Sequence, residues 1–281
     1  MNVSLTKNLR ASTLVELLCN RAQNQPNKTA YTFLVDGETE EISLTYAQLD
    51  KRVRTIAAKL QEMSVAGERA LLLYPQGLDC IAAFLGCLYA GVVAVPTYPP
   101  RRHRPDPRIQ AIITDSGATV VLTTTEIFSD MSSRLTHASE LKDLHWVATD
   151  NLSTDLVSTW KTPEIHGDTL AFLQYTSGST GTPKGVMISH GNLLHNLEDI
   201  QLRSELTLKT RSLTWLPIFH DLGLIGGILQ ALYTGFRGIF MSPASFLQKP
   251  IRWLEAISRY QITYSGGPNF AYELCIHKIT Q

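Results

Sequence analysis

The chain has 281 residues, 44% of them hydrophobic and 18% charged, enough for one large α/β core or two smaller ones. Its 25 Lys and Arg balance 25 Asp and Glu, so no general attraction to nucleic acid or to an anionic membrane is built in, and nucleic acid is not an expected partner. The four cysteines, Cys19, Cys80, Cys87 and Cys275, lack CxxC spacing and read as reduced thiols rather than disulfides or metal ligands, so no metal site is expected from them.

In chain order, the N-terminus MNVSLTKNLRAST has no apolar h-region and no small-residue cleavage site; no signal peptide is expected, and the cytoplasm follows as the default location. Thr13 with Glu16 forms a capping box ahead of Leu14, Leu17 and Leu18. Thr45 with Gln48 forms another ahead of Tyr46, Leu49, Val53, Ile56, Ala57 and Leu60, and both segments are predicted to be amphipathic helices. Between them, AYTFLV and EISL flank Asp36-Gly37, a dipeptide that predicts a tight β-hairpin. ALLL then reads as a strand. The uncharged run 80–100, CIAAFLGCLYAGVVAVPTYPP, is long enough to cross a bilayer. Its internal order argues instead for a buried helix that stops at Gly91 and a short strand, VVAV, that ends at Pro96, so no membrane span is expected.

A helical IQAIITDS and a strand TVVLTT continue the alternation, which argues for βα units and a largely parallel sheet. A less regular region, 150–168, suggests a division into two α/β lobes. Beyond it, LAFLQY leads into a glycine-rich stretch and VMIS leaves it, placing that stretch between strands or at a strand-to-helix transition. SLTWLP, a helix near 224–233, GIFM, a helix near 250–260, ITYSG and a helical NFAYELCIHKI complete the chain. Gln281 follows that apolar helix at once, so the fold is expected to be an α/β domain incomplete at its C-terminus.

The glycine-rich stretch is YTSGSTGTPKGV, residues 175–186. Counted from Gly178 against the Walker A template, Pro183 stands where the second Gly belongs and Gly185 where the Mg²⁺-binding hydroxyl belongs, so the stretch is not a Walker A site. Its chemistry nevertheless suits phosphate: glycines free backbone N–H groups to converge on an anion, Ser and Thr add donors, and Lys184 adds a mobile positive charge.

SGSTGTPKGV resembles the phosphate-loop signature of adenylate-forming enzymes, the superfamily of acyl-CoA synthetases, luciferases and peptide-synthetase adenylation domains. LTYAQLDKRVRTIAAKL, GCLYAGVVAVP and LPIFHDLGLIGGILQALYTG are similar to further motifs of that superfamily, in the expected order. Within it, AVPTYPP, FHDLGLIGG and SGGPNFAYELC resemble the fatty acyl-AMP ligases. The position where amino-acid adenylating domains carry an ammonium-binding Asp is His220 here, which favours a substrate without an amine. The resemblance implies a layered α/β adenylation domain, ATP with Mg²⁺ as cofactors, and activation of a medium- or long-chain fatty acid to acyl-AMP. The acyl group then passes to the phosphopantetheine thiol of an acyl carrier protein, or, in the alternative, to coenzyme A.

On this resemblance the loop holds the ATP triphosphate: Thr176, Ser177, Ser179, Thr180 and Thr182 as donors, Gly178, Gly181 and Gly185 for close backbone approach, and Lys184 as countercharge to pyrophosphate and catalytic residue. His220 is either a satisfied structural histidine or, as its place in FHD favours, a residue near the reacting carboxylate that positions it; a carboxylate is already ionised at neutral pH and needs no base. Two roles stand open for Asp221, orienting His220 or capping the helix that follows. Gly226 and Gly227 either line an acyl tunnel or only pack the core. Ser265, Gly266, Gly267 and Pro268 form a turn and a candidate pocket wall.

RRHRPDPR, residues 101–108, is either a solvated proline-stiffened loop or a docking patch for an acidic carrier protein. The family's later adenine, ribose and Mg²⁺ motifs and its C-terminal domain with a catalytic Lys are not in this sequence. The chain is therefore read as the N-terminal part of a longer adenylating enzyme that turns over little by itself. The other reading is a short natural protein that binds nucleotide or acyl chains without catalysis.

Overall fold

The computed structural model describes residues 11–98, 107–132, 141, 143–176 and 183–279. Its strands are β1 (Thr29–Leu34), β2 (Glu41–Thr45), β3 (Arg69–Leu73), β4 (Val93–Thr97), β5 (Val120–Thr123), β6 (His145–Ala148), β7 (Leu170–Thr176), β8 (Lys184–Ser189), β9 (Ser212–Thr214), β10 (Gly238–Met241) and β11 (Tyr264–Ser265). The α-helices are α1 (Leu14–Asn24), α2 (Tyr46–Glu62), α3 (Leu78–Ala90), α4 (Pro107–Ser116), α5 (Thr125–Ser132), α6 (His190–Arg203), α7 (Gln230–Thr234), α8 (Pro243–Gln248), α9 (Ile251–Arg259) and α10 (Asn269–Lys278). The chain divides into two compact units. One holds residues up to Glu16, Asp50–Pro75 and Asp79–Leu193; the other holds Leu17–Leu49, Gln76–Leu78 and the residues from Leu194 on.

The first unit is built on a six-stranded sheet in the order β6-β5-β3-β4-β7-β8. All pairings are parallel except β7 with β8. β3, β4 and β5 are apolar along nearly their whole length, as parallel strands covered on both faces must be. Leu71, Leu73, Val93, Val95 and Val121 form one core with Ile109, Ile112 and Ile113 of α4. The expected helix before Gly91 is α3. Its chain reverses where Gly91 takes φ 70°, with Gly91 N–H donating to Leu88 O and Val92 N–H to Cys87 O at 3.2 and 2.9 Å. Among the described residues no helix is long and apolar enough to cross a membrane.

The irregular stretch 150–168 lies wholly inside this unit. It carries a 3₁₀ turn at Thr154–Thr159 and is fastened to its surroundings. Trp160 Nε1 donates to Tyr89 O at 2.9 Å, and Gln61 exchanges hydrogen bonds with the backbone of Lys161 at 2.7 and 3.0 Å. At the head of α6, His190 is 1% exposed, and its Nδ1 accepts the N–H of Leu14 in the first turn of α1 at 3.3 Å. Burial holds the imidazole neutral, with a pKa of about 4.

The second unit carries a five-stranded sheet, β11-β9-β10-β1-β2, parallel apart from β1 with β2. The capping box of α2 forms in full: Gln48 N–H donates to Thr45 Oγ1 at 3.2 Å and Thr45 N–H to Gln48 Oε1 at 2.9 Å. In the box of α1 only Glu16 N–H donates to Thr13; the Glu16 carboxylate turns instead to Ser12 N–H and Oγ. The predicted hairpin is present, but its turn is longer than the two residues that Asp-Gly favours. Val35 N–H closes on Glu40 O at 2.8 Å, and the Asp36 carboxylate accepts the N–H groups of Glu38, Thr39 and Glu40. Those donors, Glu38 foremost, hold the Asp36 carboxyl below the usual range.

Around this sheet, Leu34, Leu213, Ile239 and Met241 pack against Trp215, Phe246 and Trp253, with the Trp215 and Phe246 rings stacked at 4.1 Å. Arg21, 3% exposed, donates to Leu232 O and Tyr233 O at the end of α7, at 3.2 and 2.6 Å. Positive charge belongs at that end of a helix dipole. Its guanidinium fills the space beside Gly235, where a Cβ would stand 2.4 Å from it.

Candidate functional site

The glycine-rich loop joins two antiparallel strands, which settles its position between strands. β7 pairs with β8 in a register that sets Tyr175 opposite Gly185 and Thr176 opposite Lys184, the last pair before the loop. Thr176 and Lys184 are both exposed there, a hydroxyl and an ammonium side by side at the mouth, while Pro183 is buried. Ser177, Gly178, Ser179, Thr180, Gly181 and Thr182 lie outside the described residues.

The stem is braced from below. Tyr175 donates its hydroxyl to Asp115 Oδ2 of α4 at 2.5 Å, and burial followed by that carboxylate pushes the phenol pKa up. The same ring lies across Gly185, whose missing Cβ would stand 2.9 Å from Cζ. Glycine at 185 is thus required by the tyrosine on the neighbouring strand, a reason that the motif alone did not supply.

In the second unit, His220 and Asp221 meet at the start of a π-helical segment, Leu222–Leu229, which runs on into α7. His220 Nδ1 lies 2.5 Å from Asp221 Oδ1, and the same oxygen accepts Leu222 N–H at 2.7 Å. The Asp221 carboxylate thus touches both the imidazole and the first N–H of the π-helical segment. The imidazole meets both Asp221 Oδ1 and, at 3.3 Å, Leu222 N–H through Nδ1, which leaves Nε2 for a ligand. The π geometry was not anticipated from sequence. Wide i→i+5 turns are rare and concentrate at functional sites.

Beside this segment lies a small cleft of about 120 Å³, open to solvent. Of the residues singled out in the sequence, Gly226, Gly227, Ser265, Gly266 and Gly267 line it; His220, Asp221 and Pro268 do not. Sequence reasoning missed Ser212, Leu213, Thr214, Leu216, Leu222 and Tyr264, which complete the walls. Ser265 is committed to structure: its hydroxyl donates to Leu213 O at 2.7 Å and accepts Trp253 Nε1–H at 2.9 Å, which ties β11 to β9. Gly267 is pressed against Trp215, whose ring would stand 2.8 Å from an added Cβ.

Among the described residues no three of His, Cys, Asp and Glu converge as a metal site. Mg²⁺ commonly arrives on nucleotide phosphates with one or two carboxylates. The donors at the loop mouth, Thr176 and Lys184, suit the phosphates rather than the metal.

Two mostly parallel sheets, with a glycine-rich loop on an antiparallel stem in one unit and an apolar cleft beside a π-helical segment in the other, match the fold of solved acyl-adenylate ligases. The solved fatty acyl-adenylate ligase from L. pneumophila in complex with acyl adenylate and pyrophosphate superposes with a TM-score of 0.92 at 42% identity, covering 98% of this chain and 47% of that one. A medium-chain-fatty-acid–[acyl-carrier-protein] ligase of Moorena producens is 49% identical over 96% of this chain and 46% of its own length. A long-chain-fatty-acid–AMP ligase of Mycobacterium tuberculosis is 38% identical over 90% of this chain and 45% of its own. Residues 18–280 match the family described as AMP-binding enzyme, and the chain belongs to that family. It spans about half the length of the curated relatives it matches.

Proposed function

We propose that the intact protein carrying this chain activates a medium- or long-chain fatty acid with ATP and hands it to an acyl carrier protein. A carboxylate oxygen forms a bond to the α-phosphorus of ATP as the bond to the β-phosphate oxygen breaks, releasing pyrophosphate. The phosphopantetheine thiol then attacks the acyl carbonyl and AMP leaves. The observation that carries this reading is the 42% identity, over nearly the whole chain, to a ligase solved with acyl adenylate and pyrophosphate.

In-line displacement between two anions needs positioning and charge neutralisation above all. Lys184 and the hydroxyl of Thr176, with Ser177, Gly178, Ser179, Thr180, Gly181 and Thr182, are assigned to the triphosphate, and Tyr175 with Asp115 stiffens their stem. His220, oriented by Asp221, is assigned to the fatty-acid carboxylate. The cleft beside Gly226 and Gly227 is assigned to the alkyl chain. Arg101, Arg102 and Arg104, outside the described residues, are assigned to carrier docking. The cytoplasm, where ATP is abundant and thiols stay reduced, suits the four free cysteines.

ATP–pyrophosphate exchange by the intact protein tests this reading. Exchange should depend on a medium- or long-chain fatty acid; exchange driven by amino acids alone overturns the substrate. Acyl-CoA formation as fast as acyl transfer to a carrier protein overturns the acceptor. Reversing Arg101, Arg102 and Arg104 to Glu should slow transfer and leave adenylation intact, and equal loss of both refutes the docking role.

A further inference from the structure

The π-helical segment contains three glycines with different surroundings. A Cβ at Gly223 would stand 2.1 Å from Pro217 O, so that glycine is fixed by backbone. At Gly227 it would stand 2.9 Å from Thr214 Cγ2, on the stiff β-branched side chain of a sheet residue. At Gly226, among the described residues and apart from its own helix backbone and chain neighbours, it would meet within 4 Å only Leu222 Cδ1, at 3.3 Å, the free end of a side chain that is 51% exposed. Both Gly226 and Leu222 line the cleft, so a side chain grown from position 226 enters the cleft alongside Leu222. Gly223 and Gly227, on either side of Gly226, lie close against Pro217 and Thr214.

We propose that Gly226 sets the length of acyl chain the cleft accepts, with Leu222 as its partner across the opening. The inference rests on the acyl-adenylating reading and deepens it. Gly223 and Gly227 serve packing; Gly226 keeps space open for ligand. Side-chain bulk at 226 therefore competes with the distal methylenes of a long chain and leaves a short chain its room. In apolar pockets, one methylene gained or lost changes discrimination by about 10- to 200-fold.

The test is exchange by the intact protein across a saturated series from hexanoate to palmitate. Gly226→Val should lower the palmitate-to-hexanoate ratio of kcat/KM by about tenfold or more, with Gly226→Ala between it and the wild type. Leu222→Ala, at an exposed position, should shift the ratio the opposite way. Competition of the same acids against a bound fluorescent fatty acid reads the effect without turnover, which keeps the test open if one variant turns over poorly. An unchanged chain-length profile, or equal loss at every length in both position-226 variants, overturns the role of Gly226 while leaving the enzyme reading standing. A wild type without any fatty-acid dependence overturns both.

Discussion

Acidification should unfasten α1 from α6 through one histidine. His190 is 1% exposed and accepts the N–H of Leu14, so the folded state holds it neutral to about pH 4. An unfolded histidine takes its proton near the ordinary 6.5. Between those two values the unfolded chain binds more protons than the folded one, so stability falls as the pH drops through the window and levels off below it. The stabilisation from the neutral imidazole is complete above pH 6.5. From pH 7 to pH 5 the linkage comes to about 2 kcal/mol, since each pKa unit of separation is worth ~1.4 kcal/mol once both protonation states are engaged. Urea unfolding at the two pH values, for the wild type and His190→Asn, measures it. Asparagine places an acceptor oxygen near the position of Nδ1 and does not titrate. The wild type should lose about 2 kcal/mol more than the variant over this interval; parallel losses refute the assignment.

Lys184→Ala should cut ATP–pyrophosphate exchange by about 100-fold or more, as loss of one preorganised charge at a phosphoryl-transfer site does, and leave the unfolding midpoint close to wild type because the side chain is exposed. Gly185→Ala should destabilise the first unit by ~1–3 kcal/mol through overlap with the Tyr175 ring. Tyr175→Leu in the same chain should restore part of that loss, and no recovery would show that the ring is not the obstacle. Arg21→Met should cost ~1–3 kcal/mol in denaturant unfolding, because the carbonyls of Leu232 and Tyr233 lose their donor. A neutral result would mean that water replaces the guanidinium there.

What could be read from sequence was what neighbours along the chain decide. Thr45 and Gln48 are three residues apart and satisfy each other's backbone, so their capping box formed as expected. Gly91 ended α3 because only a left-handed residue closes the helix there. The Asp36-Gly37 hairpin was legible but its loop length was not: a carboxylate that gathers three amides stabilises a wider turn than the dipeptide rule anticipates. α6 was missed because its buried positions, Leu193 and Leu197, are sparse in a polar stretch, and β6 because its four residues carry little pattern. At the candidate site, the glycine loop and the His220–Asp221 pair were visible as residue types. The difference between Gly226 and Gly227 was not, since it depends on Thr214 and Leu222, which reach the cleft only once β9 and the π turn are built.

The second sheet has a consequence for how the chain is made. β1 leaves the ribosome well before β10, with β2 on one side, yet its other edge pairs in parallel with β10, Tyr31 beside Gly238. At ~5–20 residues per second, the roughly 200 residues between them take on the order of 10–40 s to synthesise. For that time the hairpin bears a bare apolar edge, open to pairing with other nascent chains. The six strands of the first sheet are synthesised in the meantime, and they need no strand from beyond Ser189 to pair. Synthesis order thus favours completing the first unit before the second, which closes around the waiting β1–β2 hairpin only when β9 and β10 emerge.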